Sequence, residues 1–257
     1  MDAAERADAN FATHSIHGVR GLPGSSILDG HGIVRVDSGL HCDTFNVVCC
    51  ARLRAADATA QISDALKHFR DAARPFSWWV SPADRPPTLG RMLEDAGLTH
   101  QESSLCMSAD LAILRATDLS PEGLEVRRVR TGRMLADVAR IHAGWEEPDP
   151  VVLRFYELAS PVLVARDSPR WFFAGYLDGE PVSAAEVTVA DGVAGLYGVV
   201  TREPYRRRGF GTALTAAPLI EARAAGCLTG VLQASEAGAG VYRRLGFEAF
   251  GEVREFK

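Results

Sequence analysis

No apolar run in the 257-residue chain approaches the roughly 20 residues of a membrane span. The first ten residues, MDAAERADAN, are polar and acidic and lack the apolar stretch of an export signal. The five cysteines (Cys42, Cys49, Cys50, Cys106 and Cys227) contain no C-x-x-C pair. An odd count without an export signal fits a reducing compartment and predicts a cytoplasmic protein. Cys49 and Cys50, adjacent in an apolar run, read as small buried thiols. Basic residues are not in excess: 28 Lys and Arg against 33 Asp and Glu leave a net charge of −5. That excludes a broad basic face for nucleic acid. There is no G-x-S-x-G elbow and no H-E-x-x-H. His14, His17, His31 and His41, with Cys42, stand in irregular, unequally spaced segments, so no metal is expected.

What is present is a strand and helix alternation around mixed sheet, an α/β class. Around Thr117 to Gly123 periodicity is lost, which predicts a linker between 1–115 and 124–257. LEVRRVR (124–130) alternates as a strand, and Thr131 caps a helix with Met134, Val138, Ile141 and Trp145 on one face. WFFAGYL and PVSAAEVTV read as strands joined by an Asp178-Gly179 turn. Strand VAGLYGVVT (193–201) follows, then a helix from Phe210 that stops at Gly226. Strand GVLQAS, helix AGAGVYRRL and strand FGEVREF close the chain. Pro218, in mid-helix, predicts a kink.

The first half echoes this order. FNVVCCARL (45–53), FSWWV and SSLCMSADL read as strands, with ATAQISDALKHFRDA and PTLGRMLEDAG as helices. Val48 to Val80 is 32 positions, and Val200 to Val231 is 31. Gly97 ends its helix as Gly246 does. The chain therefore reads as a degenerate tandem duplication.

One segment stands apart: PYRRRGFGTAL (204–214) sets three arginines before Gly-x-Gly at a helix start. The first turn of a helix has unpartnered N–H groups and a positive dipole end. Glycines let a pyrophosphate approach the backbone, and arginines add charge-assisted bonds. A dinucleotide fingerprint fails because residue 214 is Leu, and a Walker loop fails for want of a lysine.

The remaining pattern, Arg-x-x-Gly-x-Gly within GVVTREPYRRRGFGTALT, resembles the coenzyme A loop of the GNAT superfamily of N-acetyltransferases. LQASEAGAGVYRRLGFEAFG resembles that superfamily's closing segment. The likeness is strong over 124–257 and weaker over 45–111. It implies tandem GNAT-like mixed sheets flanked by helices, complete in the C-terminal half and degenerate in the N-terminal half. It also implies acyl transfer from acetyl-CoA, as cosubstrate, to the primary amine of a small molecule or peptide; homodimerisation is left open.

By the same resemblance Val199, Val200 and Thr201 would bind the acetyl and pantetheine groups through strand backbone, one N–H polarising the thioester. Arg206, Arg207, Arg208, Gly209, Phe210, Gly211 and Thr212 would hold the pyrophosphate. Tyr242 would protonate the leaving thiolate, or else only pack with Val241 and Leu245. Many relatives carry a glutamate on the strand before the loop, and VAGLYGVV has none. Glu186, Glu146, Glu147 or a water chain are the candidates for the base. The missing carboxylate also admits a non-catalytic coenzyme A sensor. The first half has no phosphate loop, and Leu93 stands where Tyr242 stands.

Overall fold

The computed structural model describes residues 1–114 and 121–257. The chain forms two compact units, Met1–Cys106 together with Phe250–Lys257, and Met107–Ala249. Most of the linker read at Thr117 to Gly123 lies outside the described residues. The division at 1–115 and 124–257 differs from these bounds, because the chain end sits in the first unit. Among the described residues no helix is long and apolar enough to cross a membrane.

The first unit opens with helix α1 (Ala3–His17), whose Asp2 and Glu5 form a reciprocal cap. His14 and His17 are therefore helical, contrary to the irregular placement expected of them. Strands β1 (Ser26–Gly30) and β2 (Ile33–Asp37) form a hairpin across His31 and Gly32, both at positive φ. Then come β3 (Val47–Cys49), α2 (Ala58–Asp71), β4 (Ser77–Val80), α3 (Leu89–Asp95) and β5 (His100–Asp110), whose residues from Met107 on belong to the second unit. FNVVCCARL thus yields only a short strand; Cys50 turns the chain at φ 56.

Helix α2 buries Ala58, Ile62, Ala65 and Phe69, steps of three and four residues that make one apolar stripe. That stripe packs with Trp78, Leu89, Leu93 and Phe256 into a single core. Phe256 arrives from the end of the chain, where Arg254–Phe256 pairs antiparallel with Val80–Trp78. Ser77 Oγ donates to Glu255 Oε1 at 2.5 Å, so the pairing is also tied by a buried hydrogen bond. Arg52 bridges two buried carboxylates, Asp8 at 2.6 Å and Asp84 at 2.5 Å.

The second unit contains β6 (Leu124–Arg128), α4 (Gly132–His142), α5 (Pro150–Leu163), β7 (Arg170–Leu177), β8 (Glu180–Ala190) and β9 (Val193–Thr201). After these come α6 (Phe210–Ala224), β10 (Thr229–Ala234), α7 (Glu236–Leu245) and β11 (Glu248–Phe256), whose residues from Phe250 on belong to the first unit. The sheet order is β10-β9-β8-β7-β6, with β10 parallel to β9 and the others antiparallel. Thr131 Oγ1 accepts from Met134 N, the cap expected for α4. Asp178 and Gly179 both take positive φ, as a two-residue hairpin turn requires. Helix α6 runs as one element through Pro218 and ends before Gly226 at φ 100.

Candidate active site

The site begins with a sheet that comes apart. Strands β9 and β10 pair only from Val193–Thr229 to Leu196–Leu232, while β9 runs on to Thr201 and β10 to Ala234. On its other edge β9 keeps β8 as far as Ser183–Thr201. At Val199 and Val200 the edge of β9 away from β8 therefore faces a wedge, with no ladder partner among the described residues. A β-bulge helps to make the turn: Ala184 pairs with Val200 and Glu186 with Tyr197, so β9 carries one residue more than β8. Gly198, in that bulge, has φ 56.

A groove of about 610 Å³ occupies the wedge. Val199, Val200 and Thr201 form one wall, Arg206, Arg207, Gly209, Phe210, Gly211 and Thr212 another, and Tyr242 a third. These are ten of the fourteen residues picked from the sequence. Among the described residues the groove is lined by three arginines, Arg206, Arg207 and Arg244, and by no carboxylate. Thr215, Ala237, Gly238 and Val241 complete much of it. Sequence reasoning named Val241 only as a packing partner and passed over the other three, although Gly238 stands one turn before Tyr242 on α7.

The arginine loop is shaped by its backbone. Arg207 at φ 63 and Gly209 at φ 83 turn the chain into α6. Gly209 at the N-cap offers no side-chain acceptor, and Ala213 N is the first amide to bond back, to Gly209 O at 3.1 Å. The amides of Phe210, Gly211 and Thr212, in that first turn, have no partner among the described residues. Arg206 Nε donates to Thr201 O at 3.1 Å. Arg208 does not line the groove; its guanidinium lies 4.9 Å over the buried Phe210 ring.

Gly211 is a direct test of whether the groove suits an anion. A Cβ built there meets nothing closer than Thr201 Oγ1 at 3.9 Å. Folding gives no steric reason for glycine, and in a helix it costs roughly 1 kcal/mol against alanine. The space a side chain would fill is groove. A ligand lying against the amides of the first turn explains the residue.

Tyr242 is half-buried on α7, and its ring meets Phe247 edge-on at 6.2 Å. Its hydroxyl bonds to none of the described residues. Burial raises its pKa above the ordinary phenol value, which keeps it protonated at neutral pH.

Glu186 takes another place. It is 5% exposed, pairs with the buried Arg170 at 2.6 Å, and does not line the groove. A carboxylate held by a buried guanidinium is a weak proton acceptor. Glu146 and Glu147 are exposed and also absent from the lining. Beside Glu186 stands His142, which sequence reasoning missed. His142 Nε2 lies 2.8 Å from Gly198 O, and Nδ1 lies 2.6 Å from Tyr156 Oη. A carbonyl only accepts, so Nε2 carries the proton and Nδ1 accepts from Tyr156. Burial lowers the pKa of His142, which favours this neutral tautomer.

Residues 134–247 match the family model described as Acetyltransferase (GNAT) family. This stretch is a GNAT domain. It holds the groove, the arginine loop and Tyr242. The fold likeness extends over both units. A GCN5-related N-acetyltransferase from Kribbella flavida is 22% identical at a TM-score of 0.74, covering 99% of this chain and 94% of its own. A tandem GNAT protein from the clavulanic acid biosynthesis pathway is 14% identical at 0.61, covering 100% and 96%. A GCN5-related N-acetyltransferase from Sphaerobacter thermophilus is 18% identical at 0.63, covering 89% and 81%. No curated protein matches the sequence. The chain is thus an α/β protein of tandem GNAT-like fold, with the GNAT family match confined to the C-terminal part. The GNAT domain supports acyl transfer as its chemistry.

Proposed function

We propose that the GNAT domain transfers an acetyl group from acetyl-CoA to a primary amine of a small molecule or peptide, in the cytoplasm. The observation that carries this is a groove with no carboxylate among its described lining residues, where Arg206 and Arg207 precede a helix start and Arg244 faces them from α7, and where Gly211 meets no steric demand from folding. The coenzyme's diphosphate would rest on the amides of Phe210, Gly211 and Thr212, with Arg206 and Arg207 adding charge. The unpaired edge of β9 at Val199 and Val200 would supply the N–H that takes up charge on the carbonyl oxygen. As the amine's nitrogen bonds to carbon and the C–S bond breaks, Tyr242 would give its proton to the thiolate.

The amine must also lose a proton, and a lysine-like amine with pKa near 10.4 is almost wholly charged at neutral pH. Glu186 is one candidate for that base, but its ion pair with Arg170 weakens it as an acceptor. That pair favours a route through water. It also favours the rival reading, a coenzyme A-binding sensor without turnover. Purified protein with acetyl-CoA and a panel of amines separates the two: amine-dependent release of free thiol supports transfer. Tight coenzyme binding with no amine-dependent thiol on any acceptor supports the sensor.

A further inference from the structure

The first unit has no phosphate loop, yet it carries a cavity of its own, about 270 Å³ between the β1–β2 hairpin and α2. Its apolar part is Leu28, Ile33 and Ala65. Leu28 and Arg35 are cross-strand partners, and Ile33 and Arg35 lie two apart on β2, so all three share one face of the hairpin. Gln61, Asp64 and Ala65 share the facing side of α2 by their spacing.

Two opposite charges, Arg35 and Asp64, line this one cavity. Among the described residues neither side chain forms a hydrogen bond or an ion pair, with the other or with anything else. Arg35 is half-buried, and its Nε is fully enclosed without a partner, as is Gln61 Oε1. Elsewhere in this unit enclosed charges are paired: Asp37 with Arg74 and His68, and Arg52 with Asp8 and Asp84. Burial pushes Arg35 below the usual arginine pKa, with Asp37 and Asp64 the opposing charges that work against it. Among the described residues neither carboxylate forms a hydrogen bond with the guanidinium, and its enclosed Nε stays without an acceptor, which is costly; a ligand carboxylate can supply one.

The charges restrict the ligand. A phosphate or dicarboxylate would meet Asp64, and a simple amine would meet Arg35. A zwitterion satisfies both. A cavity of about 270 Å³ has room for an amino acid, and its apolar lining suits an aliphatic side chain. We propose that this cavity binds a free aliphatic amino acid, its α-carboxylate on Arg35, its α-ammonium on Asp64, and its side chain against Leu28, Ile33 and Ala65. The site is separate from the acyl-transfer groove and does not rest on that reading.

Calorimetry on the full chain tests it with L-leucine, 4-methylpentanoate (no ammonium) and 3-methylbutylamine (no carboxylate). L-leucine should bind saturably with one site per chain, and both comparators about tenfold more weakly or worse, since each lacks one charge-assisted contact. Arg35→Gln and Asp64→Asn should each weaken L-leucine by a similar factor. Absence of saturable L-leucine binding overturns the proposal. So does 4-methylpentanoate binding as well as L-leucine, or L-leucine affinity unchanged in either variant. Should Arg35→Gln lower the unfolding midpoint of the free protein, Asp64→Asn decides alone, because Asp64 is exposed and holds no partner.

Discussion

His142 Nε2 donates to the carbonyl oxygen of Gly198 at 2.8 Å, which ties α4 to the bulge in β9. A Cβ on Gly198 would stand 2.9 Å from His142 Cε1 and 3.3 Å from Glu186 Oε1. Glycine there meets both the positive φ and this close approach. Because the bulge lies beside Val199 and Val200, the histidine acts as a positioning residue for the groove wall. His142→Phe keeps a ring but strands the Gly198 carbonyl and the Tyr156 hydroxyl, at about 1–3 kcal/mol for a buried group left unpaired. The midpoint of thermal unfolding should fall and KM for acetyl-CoA should rise several-fold. Unchanged values of both would remove His142 from the site. The sign with pH follows. The folded pKa is depressed below about 6.5, so this stabilisation is present above that pH and lost as pH falls toward the folded value.

Gly211→Leu separates ligand binding from folding. The side chain projects into the groove without meeting backbone, so the unfolding midpoint should hold or rise. Coenzyme A affinity should drop by about tenfold or more, by the loss of at least one charge-assisted contact. Wild-type affinity in calorimetry would move the diphosphate off this loop.

Much of the site was legible because its signals are local. Strand Val193–Thr201 was read with its observed bounds, since apolar residues run unbroken between a turn at Asp191-Gly192 and the arginine loop. The loop and Tyr242 were read from residue types at fixed spacing. Three consecutive arginines look alike in sequence; with Arg207 and Gly209 at positive φ, the third lies over Phe210 and outside the groove lining. His142 and Arg170 act through partners 56 and 16 positions away, and no local pattern reports such pairs. Helix α1 was missed although Asp2 and Glu5 spell a capping box, because its faces differ little in polarity. Helix α5 was missed because apolar residues and Pro161 blur its stripe. The last strand was recognised as a strand, but which sheet neighbour it takes depends on tertiary pairing.

Phe256 shows what that strand contributes. It is 1% exposed in the core with Trp78, Phe69 and Leu93, all from the first half of the sequence. Phe256→Ala should cost about 3–5 kcal/mol. The loss should fall on the first unit, read as faster amide exchange in α2 and β4. Exchange slowed or unchanged there would show that the chain end is dispensable to that core.

Asp84 gives the first unit a pH dependence of opposite sense to His142. Burial, then repulsion from Asp8, raises its pKa to about 7 despite Arg52 and the Ser81 amide. The folded state therefore holds a proton that the unfolded chain releases near 3.9, so stability from this group falls as pH rises from about 4 to 7. The span is on the order of 4 kcal/mol. Asp84→Asn should flatten that slope, whatever it does to the stability at pH 4. Urea midpoints that keep the wild-type slope in the variant would assign the dependence to other groups.

Tyr242 carries the most specific chemical claim. Tyr242→Phe keeps the ring, its contact with Phe247 and the groove wall, and removes one hydroxyl that has no partner among the described residues. General-acid assistance is worth about 10²–10⁴-fold, so the acyl-transfer step should slow by that order while coenzyme affinity barely moves. Product release can hide such a loss, so the rate belongs in a single-turnover experiment with acetyl-CoA and the best amine found. A full single-turnover rate in the variant would reduce Tyr242 to groove lining. A slower step together with weaker coenzyme binding would point to damage of the wall that α7 provides, and the proton would then have to come from solvent in the wedge between β9 and β10.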